Sequence, residues 1–209
     1  MDVQQLLRFF ELAKDYFESN LHELSRLDSV LGDGDHGQSM LKGFLCIQKE
    51  VAGKSFGSIS ELFSAAGRTM MREIGGTCGP LFATIFLQGA LVSKGKETLK
   101  TEDFARMLRS SCDKIMALGK AKQGEKTMLD ALIPAAEDLE SSAAKGLDLA
   151  EALSSAAKAA KQGAEATKDM RATKGRGRYQ GEQSIGHKDP GAMSVALIVQ
   201  SLADAQKGI

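Results

Sequence analysis

The sequence predicts one all-α domain of about eight helices, covering residues 1–209. Three observations lead there. Apolar residues recur at spacings of three and four in segment after segment, the signature of amphipathic helices. No stretch shows the period of two that a half-buried strand requires. No low-complexity linker or internal repeat divides the chain, and 43% hydrophobic with 26% charged residues suffices for a folded core.

Residues 1–20 carry Leu6, Phe10, Ala13 and Phe17 at intervals of four, three and four, one helical stripe. His22 follows in a helical amphipathic segment. Comparable segments lie at about 38–53, 58–73, 79–94 and 101–118. The last of these opens on Thr101, which could cap it, with Glu102 and Asp103 in the first turn. The segment at about 127–142 contains Pro134, so that helix either starts later or kinks there. Residues 147–170 are rich in alanine, with Leu149, Leu153, Ala156, Ala160 and Ala164 on one face and lysines on the other. That pattern suits close helix packing. The apolar run at 195–199 would serve as a strand, but its flanks are helical and place it in a last helix at about 191–206. Pro80 and Pro190 fall where helices can begin.

Composition narrows the function. With 27 Lys+Arg against 27 Asp+Glu, the chain has no global attraction for nucleic acid or an anionic membrane. Three scattered cysteines without a CxxC pair argue against a disulfide framework or a structural zinc. No secretory signal and no run of about 18 apolar residues is found, so a cytoplasmic protein without a membrane segment is expected. The 22 glycines concentrate in short polar connections, where chemistry usually sits on a helical scaffold.

The sharpest motif spans residues 27–40, read as a loop in which Asp28, Asp33 and Asp35 converge around Gly32, Gly34 and Gly37. Three hard carboxylates suit Mg²⁺ or Ca²⁺ better than zinc or copper. The plain alternative is an acidic turn that caps the next helix. An EF-hand fails by count, because a loop starting at Asp33 puts Gly37 and Phe44 where oxygen ligands belong. His36 sits inside this segment, either capping or facing a ligand. Gly75-Gly-Thr-Cys-Gly-Pro-Leu81 opens a helix whose backbone N–H groups and Thr77 hydroxyl could cradle a phosphate, or it is a simple glycine turn. Cys78 reads as a small packing residue. Thr127 could cap the helix after Gly124 or touch a ligand, and Met128 is core or a wall for a flat ring. Lys168, Arg171, Lys174, Arg176 and Arg178 make the last polar stretch basic, and Tyr179 alone is thin company for stacking bases. Phosphates facing the acidic loop across a cleft account for that charge better.

Taken together and in order, residues 27–40, 75–81, 124–135 and 175–192 resemble the L-subunit family of dihydroxyacetone kinases and the equivalent domain of the single-chain kinases. The resemblance implies a barrel of eight antiparallel helices with ADP or ATP bound at one end, making residues 1–209 an L-type nucleotide-binding domain. It implies that Asp28, Asp33 and Asp35 hold two Mg²⁺ ions that bridge the nucleotide phosphates. His36, Gly37, Gln38 and Ser39 would line the phosphate site, with Thr77 and Cys78 opposite. Gly119 and Met128 would bound the adenine, Arg176 would reach phosphate as a catalytic cation, and Asp189, Pro190 and Gly191 would close the pocket. Ser39 replaces the family's usual Asn, and Gly177-Arg178 its more common Ala-Ser.

In the family's phosphotransferase-system branch, ADP remains bound and is rephosphorylated by a phosphohistidine M subunit. The ATP so formed phosphorylates dihydroxyacetone held on a K subunit. The chain length, with no room for a sugar-binding domain, and His36 where the single-chain kinases more often carry Cys, both favour that branch. Three other readings stay open. The chain could be an ATP-exchanging kinase subunit for another small ketose, a nucleotide-loaded module that docks a transcription regulator, or a helical protein with a vestigial site. Dimerisation is also open; no direct nucleic-acid contact is expected.

Overall fold

The computed structural model describes residues 1–208, and the helices start where local chemistry permits. At α1 (Val3–Ser19), Asp2 Oδ1 accepts from Gln5 N at 2.9 Å while Gln5 Oε1 accepts from Asp2 N at 3.0 Å, a reciprocal cap. After α2 (Leu21–Leu31) and α3 (His36–Val51), Ser58 caps α4 (Ile59–Glu73) by accepting from Glu61 N at 3.2 Å. Next come α5 (Cys78–Val92), α6 (Thr101–Gly119), α7 (Leu129–Ala144) and α8 (Leu149–Ala166), the last capped by Asp148. A 3₁₀ turn at Thr167–Asp169 and a 3₁₀ segment at Arg176–Ser184 precede α9 (Pro190–Lys207), where Asp189 caps and Pro190 takes the first position. No strand occurs among the described residues.

Eight of these helices close a ring. Around it, α1, α3, α4, α5, α6, α7, α8 and α9 each pack on the next, and α9 returns to α1. Inside, Phe9 and Phe10 meet Phe86, which also takes the edge of Phe44; Phe44 stacks on Phe17 at 4.7 Å between ring centroids. These rings are at most 1% exposed, so truncating any one to alanine costs about 3–5 kcal/mol. The α7–α8–α9 side uses small residues instead, with Ala135, Ala136, Ala156, Ala160, Ala164 and Ala203 fully buried, and the helices there draw close.

The expected all-α barrel is therefore present, with three differences. The helix α2 is a ninth element lying outside the ring against α3, and its C-terminal turns take up the first residues of what reads as an acidic loop. Leu24, Leu27 and Leu31 are buried, and this short stripe holds α2 in place. At α6 the cap position is Lys100; Thr101 is already helical and its hydroxyl donates to Leu147 O at 3.1 Å. Pro134 sits within α7 without displacing its start. Proline has no N–H for the Asp130 carbonyl, and Gly163 of α8 packs there so closely that a Cβ would lie 2.1 Å from that oxygen.

Candidate functional site

The acidic cluster is built by helix ends. Asp28 lies in the last turns of α2, and its Oδ2 accepts from His36 N, the first amide of α3, at 3.1 Å. At Gly32 a Cβ would fall 2.3 Å from Asp28 Oδ1, so any side chain there would displace that carboxylate, and Gly34 turns the chain with φ +81°. Asp33 and Asp35 then swing back, so that Asp28, Asp33 and Asp35 each place a carboxylate oxygen within 4.8 Å of the others. Asp35 makes no side-chain capping bond to α3, which removes the plain capping role for that residue. Burial and the charges of Asp33 and Asp28 raise its pKa above the ordinary carboxylate value. Among the described residues one cation pairs with the cluster: the Arg176 guanidinium meets Asp33, both side chains largely exposed. Three hard oxygen donors crowded without matching positive charge fit a divalent hard cation such as Mg²⁺.

Beside the cluster opens a cavity of about 470 Å³, the size of a small-ligand site. Four helix N-termini reach its wall: α3 through His36 and Ser39, α5 through Thr77, Cys78 and Leu81, α7 through Met128 and Leu129, and α9 through Asp189, Pro190 and Gly191. Each end carries a partial positive charge. The first-turn amides of α7 are taken by Thr127 and Met128, and at α9 Pro190 has no N–H and Ala192 N is capped by Asp189. That leaves α3 and α5 as the ends best placed to donate. Lys174 and Arg176 add full charges, while Leu31, Leu81, Phe82, Ile115, Met128 and Leu129 make an apolar wall. Gly119, the last residue of α6, and Ala121 complete that wall without bulk. One hollow thus offers an acidic corner, anion-attracting helix ends and an apolar wall.

Most of the residues singled out from sequence line this cavity. Gly37 and Gln38 do not: Gly37 is buried where α3 crosses α2, a Cβ there meeting Leu21 O at 2.5 Å, and Gln38 points outward. His36 lines the wall but its ring is engaged elsewhere. Nε2 lies 2.8 Å from Ser194 Oγ, the ring tilts against Phe82, and burial lowers its pKa below the ordinary histidine value. Cys78 is pushed up to about 11, first by burial and then by the negative charge of Asp28, which keeps it a thiol. Asp189 retains some solvent contact as a residue, yet protein packs around its carboxyl and lifts it to about 7.

Sequence reasoning passed over Lys126, Asp130 and Ser194. Asp130 organises the connection before α7, its two oxygens accepting from Gly124 N and, at 2.7 Å, from Thr127 N. The i, i+4 placement of Lys126 and Asp130 was the available signal, but it looks like an ordinary surface pair on a helix.

A profile of the DAK2 domain family matches residues 30–204. The ADP-binding subunit DhaL of the PEP-dependent dihydroxyacetone kinase of Escherichia coli (strain K12) is 36% identical over 203 residues, 97% of either chain. The ADP-binding subunit DhaL of the PTS-dependent dihydroxyacetone kinase of Lactococcus lactis subsp. lactis is 34% identical over 204 residues, 98% of either chain. Among solved structures, the dihydroxyacetone kinase from C. freundii in complex with AMP-PNP and Mg²⁺ aligns with 98% of this chain at a TM-score of 0.73 and 24% identity. This chain spans 34% of that one, so the likeness speaks for the fold.

Proposed function

This chain belongs to the DAK2 domain family, and from that membership we propose that it is the ADP-binding subunit of a dihydroxyacetone kinase. In this reading residues 1–209 form one L-type nucleotide domain, and the cavity holds ADP or ATP with two Mg²⁺ ions on Asp28, Asp33 and Asp35. The single observation that carries it is the meeting of three carboxylates with four helix N-termini around one cavity. Carboxylates and phosphates repel unless a divalent cation lies between them, and helix N-termini attract the phosphates.

When bound, the metal supplies positive charge that neutralises phosphate oxygens and holds them in line. The remaining work belongs to the chain. The α5 and α3 N-termini with the Thr77 hydroxyl and Ser39 grip the phosphates, and Pro190 and Gly191 close over them. Arg176 exchanges its partner Asp33 for phosphate and answers the charge that develops on the transferring group. Met128 and Gly119 border the adenine slot and exclude water. His36, with Nε2 on Ser194, holds α3 to α9 and its amide fixes Asp28; a proton-accepting role for the ring is not needed, because phosphoryl transfer depends chiefly on alignment and charge.

The acceptor is dihydroxyacetone held on a separate K-type subunit, and a phosphohistidine M-type subunit restores ATP from bound ADP. Purifying the protein in Mg²⁺, denaturing it and chromatographing the supernatant tests the coenzyme mode. Stoichiometric ADP is expected. An empty site that nonetheless turns over added ATP with a K-type subunit and no phosphohistidine donor would make this an ATP-exchanging kinase subunit instead.

A further inference from the structure

Lys126 is 2% exposed and its backbone adopts φ +60°, a left-handed conformation that lysine rarely takes. Its ammonium donates to Thr167 O at 2.7 Å, to Met170 O at 3.1 Å and to His187 O. No carboxylate lies within ion-pair distance among the described residues. An ammonium has three N–H donors, and here all three end on main-chain carbonyls. Burial pulls its pKa down while the charges of Asp189, Asp169 and Asp130 push it up.

The three carbonyls belong to the parts of the chain that bracket the basic stretch. Thr167 and Met170 close the 3₁₀ turn after α8, and His187 is two residues before the α9 cap. Between them run residues 171–186, with Arg176 facing Asp33 and few buried side chains of their own. Other bonds tie the same knot: Gly186 N donates to Lys168 O at 2.7 Å, Asp189 N to Thr167 Oγ1 at 2.8 Å, and Thr173 N to Glu125 O at 3.3 Å. Lys126 joins both feet of the segment through one atom. It also adjoins Thr127 and Met128, so one residue ties three pieces of the cavity wall together.

We propose that Lys126 is a positioning residue whose ammonium, by holding the carbonyls of Thr167, Met170 and His187, fixes the places from which Arg176 and Asp189 face the cavity. This deepens the nucleotide reading and rests on it. A direct ammonium–phosphate contact would require breaking one of the three carbonyl bonds.

The test compares Lys126→Met with Leu153→Ala, a fully buried α8 change away from the cavity wall that lowers stability without touching the knot. Amide exchange is followed in nucleotide-free protein, and the affinity for Mg·ADP is measured by titration. For Lys126→Met, exchange in residues 171–186 should rise by at least about a hundredfold beyond any global change, and Kd by about tenfold or more. Leu153→Ala should show neither local effect. Wild-type exchange in that segment, or wild-type affinity beside a lowered Tm, would overturn the proposal. Should Lys126→Met not fold, acetylation of native wild type decides the matter: Lys126 must be the last lysine to react, and early modification contradicts its role. If wild type itself binds no Mg·ADP, the nucleotide reading fails while the exchange arm still judges the knot.

Discussion

Asp189 caps α9 through Oδ2, accepting from Ala192 N at 2.7 Å, in surroundings that oppose its charge. Its pKa of about 7 in the folded chain stands above the ordinary carboxylate value, so the folded state holds a proton that the unfolded state has released. The sign follows for this group: its contribution to stability is fully present at low pH, declines as pH rises through the window up to about 7, and is level above it. With residual solvent contact the loss is about 2 kcal/mol. Asp189→Asn keeps an acceptor for Ala192 without the charge. Urea unfolding at about pH 5 and about pH 8, in metal-free protein, should show the variant gaining on wild type at the higher pH by about 1 kcal/mol, since part of the loss already lies below about pH 5. Equal differences at both pH values would place the Asp189 pKa in the ordinary range. For the acidic cluster the expectation concerns ligand. Mg·ADP at about 100 times its Kd adds about 2.7 kcal/mol, a rise in Tm of about 5–10 °C for a chain of this size. EDTA should abolish the rise in wild type, and Asp33→Asn should lack it from the start. A full rise in Asp33→Asn would remove that residue from the metal site.

At the scale of elements, the α7–α8 crossing controls the site from behind. Pro134 leaves the Asp130 carbonyl without its helical partner, Gly163 lets α8 press on that carbonyl, and the Asp130 side chain gathers the amides of Gly124 and Thr127. Gly163→Ala would force the helices apart and cost about 2–3 kcal/mol. Because Asp130 moves with the crossing, Mg·ADP affinity should fall as well; urea unfolding and titration of the same sample check both. Unchanged stability would mean that α8 can yield at Gly163 without strain. Long stripes such as Leu6–Phe10–Ala13–Phe17 were legible from sequence because each buries one face of a helix against a shared core. The short α2 was not seen as a separate helix, since its few buried leucines abut α1 after a single residue and run into glycines. The carboxylates and glycine-flanked segments of the site were legible because glycine at Gly32 and Gly34 answers a steric need that leaves a mark in composition. Lys126 left none: its role depends on carbonyls some 40 to 60 positions away, and carbonyls are the same in every residue.

For the molecule as a whole, the ring of eight helices divides labour between its interior and one end. The phenylalanine cluster and alanine faces supply stability, and four helix N-termini gather at the cavity proposed to bind nucleotide. Among the described residues no helix is long and apolar enough to cross a membrane. In the proposed reading the cavity takes the nucleotide and the sugar acceptor is held on a separate subunit. With ATP, Mg²⁺ and dihydroxyacetone alone, the chain should therefore form no dihydroxyacetone phosphate, and coupled-assay activity should appear on adding a K-type subunit with a phosphohistidine donor. Robust phosphorylation by the chain alone would contradict the subunit reading. The central claim, that three carboxylates and four helix ends form one metal-dependent nucleotide site, is tested most directly by calorimetric titration of ADP into nucleotide-stripped protein, with Mg²⁺ and then with EDTA. One site per chain in Mg²⁺ and no heat of binding in EDTA is the predicted result; equal affinity in both, or no binding in either, would contradict it.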